Sequence, residues 1–228
     1  MKPIRIAGTP PKSGSELWTN GFGFRRRSMN IVSLLVAVFL AAGCSNSVPK
    51  DYNVQEGDLV FQSLPHSPLV DTIEDATQSP YSHCGIVAQS DGRWMVIEAI
   101  GPVKETPLSR WISQGRGGGF AAYRLNPTFA EKIPAIVAQA RRYLGRPNGI
   151  HFRFDDEGIY CSELIFNAIK DATGRTVGKI QRLGDLNWRP HADFISSMEN
   201  DIPLEREMIT PRALTEAAEI TKIYERTP

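Results

Sequence analysis

Apolar positions recur at short spacing in the first half of the chain and at helical spacing further on. Leu59-Val60-Phe61 follows a Gly57-Asp58 step, which predicts a first strand over 57–62. Cys84–Ala88 and Trp94–Ala99 are β-prone runs separated by Gln89-Ser90-Asp91-Gly92-Arg93. An Asp-Gly step between two such runs predicts a hairpin. Folding it about Ser90-Asp91 pairs Val87 with Trp94, and therefore His83 with Glu98. Residues 63–80 carry Pro65, Pro68 and Pro80 with little periodicity, which predicts loops and at most one short helix. Thr106 as N-cap with Pro107 behind it predicts a short helix. Phe120–Leu125 reads as another strand after the glycine-rich turn Gly115–Gly119. Ile133, Ile136, Val137, Ala140 and Leu144 recur at helical spacing, with Gly145 as cap and Pro147 as stop. Leu164, Ile165, Ala168 and Ile169 form the stripe of a second buried helix over 160–172. From Thr173 onward the chain alternates turns, prolines and short amphipathic pieces. Strands grouped together, with helices around them, predict an α+β domain rather than a βαβ repeat.

The beginning of the chain has a different pattern. Arg25-Arg26-Arg27 precede an apolar run from Ile31 to Ala42, then Gly43-Cys44. That is a basic region, a short apolar region and small residues before a cysteine, the layout of a secretory signal. The apolar run of about 12 residues is short of the roughly 20 that a bilayer core requires. Leu40-Ala41-Ala42-Gly43-Cys44 resembles the lipobox of bacterial lipoproteins, with the departure that Ala41 stands where a bulky residue is usual. The expectation is a signal segment over 1–43, lipidation of Cys44 as the mature N-terminus, a polar tether over 44–54, and one domain over 55–228. Membrane attachment is then through the lipid. The location is the cell envelope, facing the periplasm, and Ser45 after the cysteine favours the outer membrane over the inner one.

Charge narrows the classes further. The 228 residues carry 26 basic and 25 acidic side chains, so no electrostatic footprint for nucleic acid exists. Nothing marks an obligate protein partner. No histidine pair has the spacing of a zinc-binding helix and no Cys-x-x-Cys occurs, so neither a metal nor a cofactor is expected.

Three residues stand out chemically. Cys161 opens a predicted helix, where unsatisfied amides and the helix dipole favour a thiolate and could hold a developing oxyanion. His83 lies at the entrance of the first hairpin strand and Glu98 at the far end of the second. Facing residues of a ladder lie about 5 Å apart, so a carboxylate at Glu98 can fix the tautomer of His83 and leave its other nitrogen for a thiol. Glu98 sits in the apolar run Met95-Val96-Ile97-Glu98-Ala99-Ile100, where a charge needs a partner. Cys84 could instead form a disulfide with Cys161. Strand alternation directs it away from His83, so it reads as a packing residue out of reach of a thiol that meets His83.

Gly57-Asp58-Leu59-Val60-Phe61-Gln62, Tyr81-Ser82-His83-Cys84-Gly85-Ile86, Ile97-Glu98-Ala99 and Tyr160-Cys161-Ser162-Glu163-Leu164, in that order, resemble the YiiX/YaeF-like permuted papain-like amidases. That family belongs to the wider NlpC-type cysteine peptidase superfamily. Histidine and glutamate precede the cysteine helix, the reverse of the usual papain-like order. The resemblance implies a circularly permuted papain-like core, a small antiparallel sheet packed on the cysteine helix. It also implies a metal-free cysteine hydrolase that cleaves an amide through a thioester acyl-enzyme, in peptides or muropeptides of the envelope. Cys161 is then the nucleophile, His83 the base and Glu98 its orienting group, with Tyr81 and Tyr160 as candidates for lining the substrate site. Acyl transfer, hydrolysis of a lipid or N-acyl group, and a non-catalytic lipid-anchored binding module are the alternatives.

Overall fold

The computed structural model describes residues 47–154 and 157–228. The signal segment over 1–43 and the lipidation site Cys44 lie outside them. No helix among the described residues is long and apolar enough to cross a membrane.

Strands β1 (Leu59–Gln62), β2 (His83–Ser90), β3 (Arg93–Ala99), β4 (Val103–Pro107), β5 (Phe120–Leu125) and β8 (Ile220–Arg226) form one antiparallel sheet in the order β4-β3-β2-β1-β5-β8. A two-stranded ribbon, β6 (Gln181–Arg182) with β7 (Glu207–Met208), stands apart. The helices are α1 (Pro68–Thr77), α2 (Leu108–Gln114), α3 (Ile133–Arg142), α4 (Cys161–Thr173), α5 (Ala192–Met198) and α6 (Pro211–Thr215). The α+β class read from the pattern is the class observed. The sheet is larger than expected, because β8 adds a strand from the segment in which only short pieces were legible. Its burial pattern is mostly exposed, as suits an edge strand, so it lacks a clear apolar alternation.

Both faces of the sheet are covered. Leu59, Phe61, Cys84, Ile86, Ile97, Ala121 and Tyr123 point to one face and pack with Ile136, Val137, Leu164, Ile165 and Ala168 of α3 and α4. Val60, Val87, Val96 and Ala122 point to the other and pack with Leu108, Trp111 and Ile112 of α2. Tyr52 belongs to this second core. Its ring stacks on Tyr224 at 5.2 Å between centroids, and its hydroxyl donates to Asp58. The expected tether therefore ends earlier than 54, since Tyr52 is buried in the domain despite its polar neighbours.

Two local readings need correction. The hairpin turns on Asp91 and Gly92, both at positive φ (50° and 73°), the two-residue turn whose twist matches that of the strands. Ser90 pairs with Arg93 and Gly85 with Glu98, two residues out from the expected register. Thr106 does not cap α2. It lies in β4, and Pro107 occupies the N-cap position without a side-chain hydrogen bond. The segment 63–80 does hold one helix, α1, capped by Ser67, whose hydroxyl accepts from the Val70 amide at 3.2 Å.

Candidate active site

The site forms where α4 begins and β2 begins. Tyr160 is the N-cap of α4 in extended conformation, and its carbonyl accepts from the Leu164 amide at 2.9 Å. Glu163 reaches back to the Tyr160 amide at 3.3 Å, so the first turn is tied down and Cys161 is its first helical residue. On β2, His83 is the first strand residue.

The two-residue change of register is even, so His83 and Glu98 stay on the same face, now diagonal rather than opposite. Gly85 stands between them, directly across from Glu98. A Cβ on Gly85 would lie 2.4 Å from Val96 Cγ1 and 3.5 Å from Glu98 Cβ. The absence of a side chain there lets the carboxylate lean along the strand. Nε2 of His83 meets Oε2 of Glu98 at 2.7 Å. The other carboxylate oxygen accepts from the Thr106 hydroxyl at 2.5 Å. His83 is 2 % exposed and Glu98 0 %. Removing an ionised carboxylate from water costs several kcal/mol, and two hydrogen bonds to a charged group, about 1.5–3 kcal/mol each, are of the size needed to offset it.

Trp111 of α2 lies over the imidazole, with ring centroids 6.1 Å apart. It is fully buried and keeps water from the His83–Glu98 bond. Gln62, paired with His83 in the ladder, is also fully buried. With Nε2 of His83 held by Glu98, Nδ1 remains for the thiol. The Cys161 thiol lies near enough to His83 and to Cys84 for both to act on it. It is 8 % exposed, the most accessible of the three.

Electrostatics follow from these contacts. Hydrogen bonding to Cys84 and His83 and the adjacent imidazole charge hold the Cys161 thiol well below its ordinary value, against the opposing effect of burial. Burial works to lower His83, but its contacts with Cys161 and Glu98 prevail and raise it to about 9. Burial likewise opposes ionisation of Glu98, and the bond from His83 with that from Thr106 lowers it nonetheless. The favoured state is thiolate, imidazolium and carboxylate in a row. A thiol in such a pair can attack a carbonyl without a separate deprotonation step.

Among the described residues the expected trio is thus brought together, and both cysteines are free thiols. One expectation fails: Cys84 does face away from His83 across the strand, yet it lies near enough to act on the Cys161 thiol. His83 is the first residue of β2, so the sulfur sits at the strand end and meets a neighbour from each face. Tyr81 and Tyr160 are placed differently from each other. Tyr81 is half-buried, its ring 5.8 Å from that of Phe61, and its hydroxyl donates to Glu225 at 3.1 Å. Tyr160 is buried, its hydroxyl accepting from the Ile209 amide at 3.0 Å. It braces the helix start from within instead of lining an open cleft. Thr106 and Trp111 were not singled out as site residues. A hydroxyl eight residues beyond a buried acid is too weak a signal, and so is a tryptophan in an amphipathic helix.

A family model described as permuted papain-like amidase enzyme, YaeF/YiiX, C92 family, matches residues 53–224. The chain belongs to this family. It is 32 % identical over 202 residues to the uncharacterized protein YiiX of Escherichia coli strain K12, covering 87 % of this chain and 95 % of that one. It also superposes on a crystal structure of the metalloprotein YiiX from Escherichia coli O157:H7, with a TM-score of 0.73, 32 % identity, 78 % of this chain and 100 % of that one. Family membership makes this chain a protein of the cysteine amidase and peptidase kind, with a permuted papain-like core. The word metalloprotein belongs to that relative. Here, among the described residues, no three His, Cys, Asp or Glu side chains converge as metal ligands, and both faces of the His83 ring edge are engaged by Glu98 and Cys161. The donor set does not fit a metal ion, and no step below passes through one.

Proposed function

We propose that the protein is a cysteine amidase of the cell envelope, cleaving an amide bond in a peptide or muropeptide through a thioester acyl-enzyme. The observation that carries this reading is a thiol at the first position of α4, beside an imidazole whose Nε2 is held by a buried carboxylate at 2.7 Å. The Cys161 sulfur attacks the carbonyl carbon, and the carbonyl electrons move onto oxygen, where the backbone amide of Cys161 at the start of α4 serves as donor. His83 gives its Nδ1 proton to the leaving nitrogen as the C–N bond breaks, leaving the thioester. Water then loses a proton to His83 and attacks the thioester. The acid is released, and the sulfur and imidazolium are restored. Glu98 keeps Nε2 protonated and the ring aligned throughout, held in turn by Thr106.

The reading extends to location. Lipidation at Cys44 would hold the domain on the membrane, facing the periplasm and more plausibly at the outer membrane, with cell-wall amides in reach; a Cys44→Ser chain is expected in the soluble fraction. The chemistry is tested by incubating the protein with peptidoglycan fragments and, separately, with acylated amines. Release of a free amine from the first supports the proposal. Product from the second alone moves the activity to N-acyl or acyl-transfer chemistry, and product from neither, with Cys161 no more reactive than Cys84 toward iodoacetamide, overturns it.

A further inference from the structure

Gln62 is the last residue of β1 and stands directly opposite His83, the first residue of β2. Opposite residues of an antiparallel pair put their side chains on one face, about 5 Å apart. The strand order β3-β2-β1 then places Glu98 on one side of His83 and Gln62 on the other. The two nitrogens of an imidazole point away from each other. With Nε2 held by Glu98 at 2.7 Å, Nδ1 is turned to the β1 side, where Gln62 lies.

The Gln62 carboxamide has no evident task in the fold. It is fully buried, and neither its Nε2 nor its Oε1 has a hydrogen-bond partner among the described residues. It lies against the end of α2, since a Cβ on Gly115 would fall 2.5 Å from its Oε1. Gln114 comes just before Gly115. Trp111 lies three residues earlier, on the same face of α2, with its ring over that of His83 at 6.1 Å. Trp111 Nε1 and Gln114 Oε1 are likewise buried without a partner among the described residues. Donors and acceptors thus collect beside the base without bonding one another. A buried polar group left in that state costs about 1–3 kcal/mol, and the preceding residues of β1, Leu59, Val60 and Phe61, are all apolar. Packing alone would favour another apolar side chain at position 62.

We propose that Gln62, together with the Trp111 N–H, binds the water that opens the thioester. This rests on the amidase reading and its acyl-enzyme. Water can donate to Nδ1 of His83 and to Oε1 of Gln62 and accept from Trp111 Nε1–H, which leaves one lone pair for the carbonyl carbon. As the new C–O bond forms, the proton passes to His83. The C–S bond then breaks, its electron pair goes to the Cys161 sulfur, and the acid leaves. Gln62 itself gains and loses no proton. One bound water is not bulk solvent, and the bond from Nε2 to Glu98 stays sealed under Trp111.

The probe is p-nitrophenyl acetate, an activated ester whose leaving group needs no protonation, with the acetyl group on the Cys161 peptide followed by mass. Gln62→Met fills a similar volume without the amide. In it, acetylation of Cys161 is expected within about twofold of the parent and release by water at least about tenfold slower. Hydroxylamine, a stronger nucleophile, should strip the acetyl group from both proteins at rates within about twofold of each other. The melting temperature should not fall, because the amide removed was unpaired. Trp111→Phe removes the N–H and keeps an aromatic ring, and is expected to slow release by water in the same way. Release within about twofold of the parent in either variant overturns the inference. So does a Gln62→Met protein in which acetylation, hydrolysis and hydroxylamine cleavage are slowed alike, or one that melts well below the parent. If Cys161 of the parent takes no acetyl group, the nucleophile assignment falls and this inference falls with it. If it takes the group and holds it as long as Gln62→Met does, this inference alone falls.

Discussion

His83–Glu98 and His151–Glu199 are the same two residue types at nearly the same separation, 2.7 Å and 2.9 Å, in two different surroundings. The first pair is sealed between the sheet and α2. In the second, the His151 side chain is 40 % exposed, and Glu199 is shared with Arg206 at 2.7 Å and Arg153 at 3.1 Å. The other two histidines also have carboxylate partners, His66 with Asp71 and His191 with Asp75. A histidine touching an acid therefore distinguishes nothing in this chain. What separates His83 is that water is excluded, that the acid is held by a second donor, and that a thiol faces the free nitrogen. Coulombic interactions weaken by more than an order of magnitude from dry protein to bulk water, so the same contact is a strong internal pairing in one place, the one the proposed mechanism uses, and a surface tie in the other.

The comparison can be broken most sharply at the sulfur and the two rings. With a substrate in hand, Cys161→Ala is expected to remove turnover by at least about 10⁴-fold, with the fold retained by circular dichroism. His83→Ala is expected to lower kcat/KM by about 10³-fold, while His151→Ala leaves it within about twofold. Equal losses from the two histidine variants would refute the distinction drawn between the pairs. At the acids, Glu98→Gln keeps an acceptor for Nε2 but loses the charge, with an expected loss of about tenfold in kcat/KM, equivalent to about 1.4 kcal/mol. Thr106→Val removes the second donor to Glu98. At about 1.5–3 kcal/mol for a hydrogen bond to a charged group, it should lower the melting temperature by several degrees.

Acidity and alkalinity sharpen the same contrast. In the proposed mechanism an imidazolium protonates the leaving nitrogen, and it persists until pH passes the raised value of His83, about 9, so kcat/KM should fall above about pH 9. On the acid side activity should persist well below the range of an ordinary thiol, because Cys161 is held ionised. Glu199 is lowered to about 2, chiefly by the bond from Arg206, against the opposing effect of burial and with a further bond from His151. A depressed carboxylate contributes stability that is complete above its unfolded value of about 4.5 and lost as pH falls toward 2. Thermal melts of Glu199→Gln should therefore differ from the parent at neutral pH and converge with it near pH 2, with no change in the pH profile of activity.

Much of this site was legible in residue order. Cys161 at a helix start and His83 and Glu98 at one end of a hairpin could be placed because strand alternation has period two, and an even slip leaves faces unchanged. The slip itself came from the turn. Asp91-Gly92 takes the two positive φ values, so the strands run to Ser90 and Arg93 instead of folding at Ser90. Thr106 was misread because a Thr-Pro step is a strong helix-start pattern, and only the tertiary pairing of β4 with β3 shows its hydroxyl at Glu98. The nearness of Cys84 to Cys161 was missed for another reason. Alternation describes the middle of a strand, and at its first residue a neighbouring helix can reach around the end. Edge strand β8 had too little apolar alternation to announce itself.

Trp111 gives the molecule an optical gauge of its own. Its indole lies 6.1 Å from the His83 ring and is shut off from solvent, and a protonated imidazole quenches indole emission by drawing electron density from the excited ring. Fluorescence from this one tryptophan should brighten as the ring loses its proton, reporting its charge state without any substrate.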